Sequence, residues 1–449
     1  MADMPKITFI GAGSTIFLRH LLGDAMLMPA LQDAEVALMD IDEKRLSESE
    51  LVANAVINTL NVGATVTATT SRREALDGAD FVIVSVQIGG YRPCTVTDFD
   101  IPRQYGLRQT IADTLGIGGI MRGLRTVPFL WELCADMTEL CPDAVMLQYV
   151  NPMAINCWAI KERFPHIRTV GLCHSVPNTV FELTHDLDIP MDDVRYRVAG
   201  INHVAFFLNF EQRVADGGWR DLYPELRRKF ASGEIPKENP VRPRCPNLVR
   251  YEMMNQLGYF LTESSEHFAE YCPWFIKDGR EDLIERYGIP LDEYPTRCEE
   301  QIAEWEEHFT SLKGGAEMTI ESSNEYAAVI MNAMVTNQPA SIYGNVVNNG
   351  AIANLPAECI VEVPCLVDAN GIQATDIGTL PPQLAAMMKT NINVQELTVA
   401  ALLHEDREHI FHAALFDPHT AAELDVSQIR AMTNELLTAH RDWLPGWTQ

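Results

Sequence analysis

Two glycines close to the N-terminus stand where a tight turn would join a strand to a helix. Gly11 and Gly13 follow the apolar run Lys6–Ile10 and precede a stretch with helical periodicity. Glycines at this spacing let backbone N–H groups approach a pyrophosphate at the N-terminus of a helix. Ser14 and Thr15 can add hydroxyl donors, so the segment is a candidate phosphate-binding turn.

Residues at the ends of later apolar runs extend this candidate site. Asp40 ends the second run, where a carboxylate hydrogen-bonds an adenosine ribose and favours NAD over NADP. Gly89 and Gly90 follow the fourth run and would face the same cleft, because ligands bind at the carboxyl ends of parallel strands. Ile16 replaces the third glycine of the usual fingerprint, so an ordinary glycine-rich turn is the competing interpretation. The combination of turn, helix and acid predicts an NAD site.

A cysteine, two histidines and two asparagines follow later strand-like runs. Asn151 ends the fifth run, Cys173 and His174 end the sixth, and Asn202 and His203 lie in a β segment further on. A cysteine and a histidine from separate strands can converge on one metal ion and leave positions open for a substrate. The residue types alone do not distinguish zinc from manganese. The competing interpretation is that Cys173 is simply packed in the core.

Acidic and phenolic side chains are candidates for proton transfer. Asp113 lies in the segment 110–116, whose composition is typical of a loop or helix entry and suits a group that faces a cleft. Glu263 and Tyr271 lie in the segment 262–271, where polar residues recur at helical spacing. The simpler interpretations are a helix N-cap for Asp113 and a solvated polar face for the second segment.

Short apolar runs alternate with stretches of helical periodicity through the N-terminal part of the chain. The runs are 6–10, 36–39, 66–69, 81–86, 145–150 and 169–173. Strands that are continuously rich in Val, Ile and Leu and alternate with helices predict a parallel sheet covered on both faces. The predicted fold class is α/β, with an N-terminal Rossmann-type, doubly wound parallel sheet.

The pattern changes near residue 196. We take this point as the boundary between an NAD-binding domain, 1–196, and an α+β domain, 197–449, for substrate, catalysis and oligomerisation. In the second domain the sequence predicts a long β segment, a surface excursion rich in proline and charge, a strand–turn–strand and a helical tail. These are 197–210, 228–247, 359–367 and 393–440, with a turn signal at Asn370-Gly371.

Composition and charge exclude several classes of function. The 449 residues include 34 Lys and Arg against 62 Asp and Glu, a formal net charge of −28. This balance speaks against a nucleic-acid partner, which needs a basic face, and against an anionic membrane surface. The sequence has no apolar run of about 18 residues and no visible secretory signal. Ten scattered cysteines without a CxxC pair indicate a reduced, cytoplasmic protein.

Several of these segments occur together, in order and at matching spacing, in a known enzyme family. The chain resembles glycoside hydrolase family 4 over essentially its whole length, and within that family the branch that acts on α-galactosides. The matching segments are KITFIGAGST at 6–15, LMDID at 38–42, QIGGY at 87–91, VNPM at 150–153, GLCH at 171–174, GINH at 200–203, TESSEHFAEY at 262–271 and VEVPCLVD at 361–368.

The resemblance implies a cytoplasmic, homodimeric or homotetrameric hydrolase that requires NAD⁺, a divalent metal (typically Mn²⁺) and reducing conditions. It also implies a fold like that of lactate and malate dehydrogenases. By position, the family's metal ligands match Cys173 and His203, its substrate-binding asparagine matches Asn151, and its dinucleotide site matches Gly11, Gly13 and Asp40. His174 stands where phosphate-handling members carry Asp or Asn, which suggests an unphosphorylated substrate. His174 and Asn202 are further candidates for substrate binding.

The mechanism that the resemblance implies is redox-neutral and differs from that of two-carboxylate glycosidases. NAD⁺ takes a hydride from C3 of the sugar, a base removes the proton on C2, and the glycosidic oxygen leaves with the help of an acid. Water then adds, and the hydride returns. Phospho-glycosidase members use a tyrosine in the region of 262–271, so Glu263 and Tyr271 are both candidates for the base. Asp113 is the favoured acid, since related α-glucosidases carry an active-site aspartate there.

Three alternatives stay open. A sister specificity of the family (α-glucosidase, α-glucuronidase or α-galacturonidase) would differ in the sugar that it recognises. An NAD-dependent 2-hydroxy acid dehydrogenase shares the fold and the strand end at Asn151, but it would need a His–Asp pair, and the sequence has no His-Gly-Asp-like segment. A non-enzymatic NAD-binding protein would leave Cys173 and His203 unexplained.

Overall fold

A computed structural model describes residues 4–236, 238–313 and 319–449 of the chain. The strands are β1 (Lys6–Ile10), β2 (Glu35–Met39), β3 (Thr65–Thr69), β4 (Phe81–Val84), β5 (Val145–Gln148), β6 (Arg168–Gly171), β7 (Val194–Ile201), β8 (Val204–Arg213), β9 (Trp219–Asp221), β10 (Ala340–Val347), β11 (Ile360–Asp368) and β12 (Gly371–Ala374). Within the described residues they form one mixed sheet in the order β3-β2-β1-β4-β5-β6-β10-β11-β7-β8-β9, with β12 paired to β11.

Helices cover the sheet. They are α1 (Thr15–Leu27), α2 (Glu43–Leu60), α3 (Arg72–Leu76), α4 (Val96–Gln104), α5 (Gly116–Leu140), α6 (Met153–Arg163), α7 (Ser175–Leu187), α8 (Tyr223–Ser232), α9 (Leu248–Leu257), α10 (Ser265–Ala269), α11 (Glu281–Tyr287), α12 (Glu293–Lys313), α13 (Ala327–Thr336), α14 (Pro382–His404), α15 (Arg407–Phe416), α16 (Pro418–Glu423) and α17 (Val426–Ala439). No helix in the described ranges combines the length and the apolar character needed to cross a bilayer.

The N-terminal part of the sheet is parallel and buried on both faces. Its strand order, 3-2-1-4-5-6, is that of the Rossmann fold. In β4, Phe81 and Ile83 join the larger hydrophobic core on one face, and Val82 and Val84 join a second core on the other. Because successive side chains point to opposite faces and both faces exclude water, the strand is a continuous apolar run. The predicted α/β class and doubly wound parallel sheet are confirmed.

The strands of the C-terminal half continue this sheet. β10 pairs antiparallel with β6 at Asn345 and Gly171, and β11 meets β7 at Glu362 and Gly200. The predicted domain boundary at residue 196 falls inside β7. Pairing between residues 174 positions apart leaves no local signal in the sequence, which is why continuity of the sheet was not predicted.

Two expectations for the C-terminal half are corrected by the structure. Residues 197–210 belong to two strands, β7 and β8, because Asn202 and His203 form a turn between them. The segment 228–247 is only partly a surface excursion, since it contains the end of α8 and the buried Cys245. Its high content of charge misled the prediction, because one of these charges, Arg242, pairs with the buried carboxylate of Glu263.

The predicted strand–turn–strand lies further along the chain than 359–367, because β11 alone spans that segment and its partner in the hairpin is β12. The turn at Asn370-Gly371 joins β11 to β12 as predicted, and β12 turns back along β11 in an antiparallel hairpin. The predicted helical tail, 393–440, comprises most of α14 and all of α15 to α17.

Candidate active site

The turn after β1 is tight and lies against the ends of two neighbouring strands. Gly11 has φ 87°, and a Cβ there would collide with the carbonyl oxygen of Ser85 just after β4. The N–H of Gly11 donates to the carbonyl of Met39 at 3.0 Å. The N–H of Gly13 donates to Asp40 Oδ2 at 2.8 Å. The carboxylate predicted to recognise ribose therefore also orders the turn.

The other predicted cofactor residues lie in different surroundings. Thr15 is buried, and its Oγ1 lies 2.9 Å from Ser49 Oγ, which ties α1 to α2. Ser14 is exposed and makes no side-chain hydrogen bond as the N-cap of α1. Gly89 has φ 77° in the turn after β4, where a Cβ would collide with Cys94. The hydroxyl of Thr15 thus already has a partner within the protein, whereas the cofactor contacts expected of Ser14 and Gly89 stay predictions.

Cys173, His203 and Glu263 form a buried cluster that could hold a metal ion. Cys173 Sγ lies 3.4 Å from His203 Nε2. Glu263 Oε2 lies 4.0 Å from the same nitrogen, and the three ligand atoms lie within 4.8 Å of one another. The structure therefore brings together the two residues proposed as metal ligands from the sequence. It adds Glu263, which the sequence analysis considered only as a base.

Three separate elements supply this cluster. Cys173 follows β6, His203 lies in the turn between β7 and β8, and Glu263 directly precedes Ser264, the N-cap of α10. His203 and Glu263 each have φ 64°. Left-handed backbone is uncommon for residues with a long side chain, and such positions cluster at functional sites. Glu263 lies outside the short helix α10, so the helical face predicted for 262–271 does not include it.

Two hydroxyl groups contact the imidazole of His203 at Nδ1, the nitrogen that points away from Cys173. Its Nδ1 lies 3.3 Å from Thr114 Oγ1 and 3.4 Å from Tyr271 OH. A metal on Nε2 requires the ring proton on Nδ1, and either oxygen can accept that proton. Burial lowers the pKa of His203, which favours the neutral ring that a metal needs. Burial, followed by the charge of Glu263, raises the pKa of Cys173 well above its ordinary value, so metal binding must displace a proton from the thiol.

Asp113 and Asn151 form a second polar group beside His203. Asn151 Nδ2 donates to Asp113 Oδ2 at 3.0 Å, and Thr114 Oγ1 donates to Asp113 Oδ1 at 2.7 Å. The guanidinium of Arg122 lies 3.8 Å from the same carboxylate. Burial acts to raise the pKa of Asp113, but the charge of Arg122 leads the groups that bring it below its ordinary value. Asp113 is therefore ionised at neutral pH, and it is not a helix N-cap.

The two candidates for the base differ in their protonation. Burial acts to raise the pKa of Glu263, but the surrounding groups, first His267 and then His203 and Arg242, hold it well below its ordinary value. Burial raises the pKa of Tyr271 well above its ordinary value. At neutral pH the site thus holds an ionised carboxylate and a neutral phenol, and only the carboxylate is already in the unprotonated form that accepts a proton.

Three charged residues that the sequence analysis did not single out complete the site. Arg242 donates to Glu263 Oε1 at 2.8 Å, and Arg122 lies beside the carboxylate of Asp113. Glu325 Oε1 lies 3.0 Å from His174 Nδ1. Arg242 comes from the segment predicted as a surface excursion, and Glu325 is 151 positions from His174 in the chain. Neither position carries a local signal that could have identified it.

The side chain of Asn202 is fully buried. Within the described ranges, no group hydrogen-bonds either atom of its amide. An unpaired buried amide costs about 1–3 kcal/mol. Its place next to His203 suits a contact to a bound molecule, in agreement with its selection as a candidate for substrate binding.

The sequence as a whole places this fold and site among the glycoside hydrolases. The sequence model described as "Family 4 glycosyl hydrolase" matches residues 6–189, and that described as "Family 4 glycosyl hydrolase C-terminal domain" matches residues 198–420. The chain belongs to glycoside hydrolase family 4, as its resemblance predicted. It is 47% identical to an alpha-galactosidase of Bacillus subtilis (strain 168), over 99% of this chain and 100% of that protein.

Solved structures agree with this assignment. A putative glucosidase of Bacillus subtilis is 26% identical, with a TM-score of 0.85 over 97% of this chain and 100% of that one. A 6-phospho-alpha-glucosidase from gut microorganisms, solved with NAD and Mn²⁺, is 20% identical, with a TM-score of 0.82 over 99% of each chain. Malate dehydrogenase of Cryptosporidium parvum is 14% identical, with a TM-score of 0.53 over 89% of this chain and 99% of that one. The predicted likeness to dehydrogenases is thus confirmed for the fold.

Proposed function

We propose that the protein hydrolyses α-galactosides of the melibiose and raffinose type with the aid of NAD⁺ and a divalent metal, Mn²⁺ foremost. The observation that carries the proposal is the buried cluster of Cys173, His203 and Glu263 beside the Asp113–Asn151 pair. The chain that holds this cluster is 47% identical to an alpha-galactosidase. The NAD and Mn²⁺ bound to a structural neighbour support the choice of both cofactors.

The residues present fit both groups. A metal would meet a thiol and an imidazole nitrogen, both buried and both metal donors in proteins, with the carboxylate of Glu263 beside them. A dinucleotide would meet the glycine turn, Ser14 and the carboxylate of Asp40 at the N-terminus of α1. When bound, the dinucleotide supplies reversible hydride transfer at C3 of the sugar and the metal supplies a Lewis acid at the neighbouring oxygens.

Glu263 is the residue that we assign as the base for the proton on C2. Its Oε1 is occupied by the guanidinium of Arg242 at 2.8 Å, so Oε2 is the oxygen that remains to accept a proton. Tyr271 is a neutral phenol against Nδ1 of His203, and we assign it the role of orienting that ring. The geometry thus favours one of the two candidates that the sequence left equal.

Asp113 is the acid in this proposal, but it starts without a proton. Oxidation of the sugar at C3 releases the proton of the O3 hydroxyl, and the ionised carboxylate of Asp113 can accept it. The protonated carboxyl then donates this proton to the glycosidic oxygen as the bond to C1 breaks. Asn151 and Thr114 hold the carboxylate in place through both of its oxygens.

An unphosphorylated sugar fits the surroundings of His174. The ring of this residue is paired with the carboxylate of Glu325 at 3.0 Å. A phosphate placed there would lie close to the carboxylate of Glu325, whose side chain is only 10% exposed, and repulsion between the two negative charges is unfavourable. We therefore propose that His174 and Asn202 contact hydroxyl groups of a neutral sugar. A 6-phospho-α-galactoside should be a poor substrate.

Hydrolysis of p-nitrophenyl α-galactoside tests the proposal directly, with NAD⁺, Mn²⁺ and dithiothreitol each present or omitted. We expect activity that requires both NAD⁺ and the metal and that produces no net NADH. The α-glucoside, α-glucuronide and α-galacturonide run in parallel, and activity on one of these alone would reassign the specificity within the family. Net reduction of NAD⁺ by a 2-hydroxy acid would favour the dehydrogenase instead.

We further propose that the protein is cytoplasmic and forms a homodimer or homotetramer. All ten cysteines are free, nine of them buried, which suits a reducing compartment. Light scattering after size-exclusion chromatography gives the number of subunits. A monomer at micromolar concentration would contradict the second part of the proposal, and the protein in an extracellular fraction of its source cells would contradict the first.

A further inference from the structure

A hydrogen-bond network of three buried polar residues connects the C-terminal end of α17 to the turn after β4. His440 Nε2 lies 2.8 Å from Asp98 Oδ1, and Asp98 Oδ2 lies 2.5 Å from the guanidinium of Arg125. Arg125 Nε donates to the carbonyl of Ile88 at 3.2 Å. The exposed fractions of Asp98, Arg125 and His440 are 2%, 2% and 1%. This network thus ends on the backbone carbonyl of Ile88, the residue before Gly89.

The chemistry of the three side chains fixes which atoms donate and which accept in this network. A carboxylate only accepts, so His440 Nε2 and the guanidinium of Arg125 both donate to Asp98. Buried charges are tolerated when they are paired and hydrogen-bonded, and breaking such a network is costly. Since Asp98 holds two donors of Arg125, the remaining Nε–H has a fixed direction, toward Ile88. His440 thus helps to set where the turn lies.

A second residue of the tail contacts the turn itself. The indole Cδ2 of Trp443 lies 3.5 Å from the position that a Cβ on Gly89 would take. The backbone N–H of Trp443 donates to the carbonyl of His440 at 2.8 Å, so one hydrogen-bonded turn links the two residues. Trp443 is 43% exposed, which leaves part of the indole open to solvent next to the proposed cofactor cleft.

We propose that the C-terminal tail is part of the dinucleotide site. His440, through Asp98 and Arg125, and Trp443, through its contact with Gly89, are positioning residues that hold the turn after β4 in the form that binds NAD⁺. The inference rests on the proposed use of NAD⁺ and goes beyond it, since neither residue lies in a glycine turn or on the Rossmann strands. Loss of either residue should weaken NAD⁺ binding without affecting the metal site.

Isothermal titration of the full-length protein with NAD⁺ and, separately, with Mn²⁺ tests the proposal. The variants are His440→Phe, which removes the donor, His440→Gln, which restores a donor near the same place, and Trp443→Ala. Trp219→Ala is the matched control, because Trp219 lies in β9 at the far edge of the sheet. Thermal unfolding and far-UV circular dichroism check that each variant folds.

We expect His440→Phe and Trp443→Ala to raise the Kd for NAD⁺ about tenfold and to leave the Kd for Mn²⁺ within twofold. His440→Gln should recover most of the loss, and Trp219→Ala should bind both ligands as the unaltered protein does. Because Trp443 is partly exposed, its replacement is expected to fold even if a change at His440 does not. Unchanged NAD⁺ affinity in folded Trp443→Ala would overturn this inference and leave the proposed function standing. Absence of NAD⁺ binding in the unaltered protein would overturn the proposed function as well.

Discussion

The phenol oxygen of Tyr271 lies 3.4 Å from Nδ1 of His203, while the thiol of Cys173 lies 3.4 Å from Nε2 of the same ring. This arrangement places Tyr271 behind a proposed metal ligand, in a position to orient it. It distinguishes Tyr271 from Glu263, the other candidate base in the segment 262–271. A fully buried phenol that stays protonated and lies against His203 is a weak proton acceptor.

Tyr271→Phe should therefore weaken metal binding more than it slows chemistry. Loss of a group that orients a metal-bound histidine costs about 10–100-fold in metal affinity. At saturating Mn²⁺ we expect kcat to stay within about tenfold of the unaltered value, whereas loss of a general base costs about 10²–10⁴-fold. Titration with Mn²⁺ and kinetics at saturating metal separate the two effects. Tyr287→Phe, another buried tyrosine, is the control, and a collapse of kcat at saturating metal would restore Tyr271 as the base.

Glu263→Gln should abolish the exchange of the C2 proton. The base that removes this proton also determines whether solvent hydrogen appears in the product. In D₂O, the unaltered enzyme should release galactose with deuterium at C2, and the variant should be about 10²–10⁴-fold slower. Mass spectrometry of the product measures the incorporation. If the variant keeps its rate at high Mn²⁺ and only its metal affinity falls, Glu263 is a third metal ligand and not the base.

Asp113→Asn should be sensitive to the leaving group. An acid that protonates the glycosidic oxygen matters most when the leaving alcohol is poor, and p-nitrophenolate leaves without a proton. We expect the variant to slow both substrates, because Asp113 also accepts the O3 proton, and to lose far more activity on melibiose than on p-nitrophenyl α-galactoside. Glu263→Gln serves as the comparison, since loss of the base should impair both substrates alike. Equal losses in Asp113→Asn would contradict its role as the acid.

Cys173→Ser should lose metal affinity and activity together while NAD⁺ binding persists. A hydroxyl is a poor substitute for a thiolate ligand, and the two sites draw on different residues. Calorimetry with each cofactor measures both affinities. Cys141→Ser, at the end of α5, is the matched control among the buried cysteines. Full activity of Cys173→Ser at limiting metal would remove this residue from the metal site.

Glu362 should make stability dependent on pH. Its side chain is fully buried on β11, and burial, with the charge of Glu263 second, raises its pKa from 4.5 to about 8. Between these values the folded chain binds the proton more tightly than the unfolded chain does. The contribution to the free energy of unfolding is complete below pH 4.5 and is lost toward pH 8, at about 1.4 kcal/mol per pH unit.

Glu362→Gln stays neutral at every pH, so it should remove this dependence. The difference in Tm between the variant and the unaltered protein should shift in favour of the variant as the pH rises from about 6 to about 9. Glu358→Gln, close by in the chain, is the control. Parallel curves for Glu362→Gln and the unaltered protein would show that Glu362 does not titrate in this range.

Much of the fold follows from local patterns. The run at β4 is apolar at every position because both faces of the sheet are covered, and glycine at position 11 marks a turn that only a residue without a Cβ can make against Ser85. Asn370-Gly371 likewise marks a hairpin turn through backbone preference. Such signals lie within a few residues of one another, so they can be read without knowing what packs against them.

The site depended on information of another kind. Cys173 could be selected by type and by its place after a strand-like run, His203 by its place in a β segment, and Asp113 by the loop-like composition around it, and the resemblance to a family gave them roles. Arg242 and Glu325 could not be selected, because their importance lies in distances of 2.8 Å to Glu263 and 3.0 Å to His174. These distances exist only after strands remote in sequence have paired.

The amino-acid order was therefore sufficient for the α/β class, the glycine turn, the principal candidate ligands and the family. The assembled chain shows which candidate is ionised, which one lies behind the imidazole of His203, and which distant charges stand beside them. The reason is physical: backbone preference and hydrophobic periodicity act over a few residues, whereas burial and the electrostatic environment of a titratable group arise from everything that packs around it.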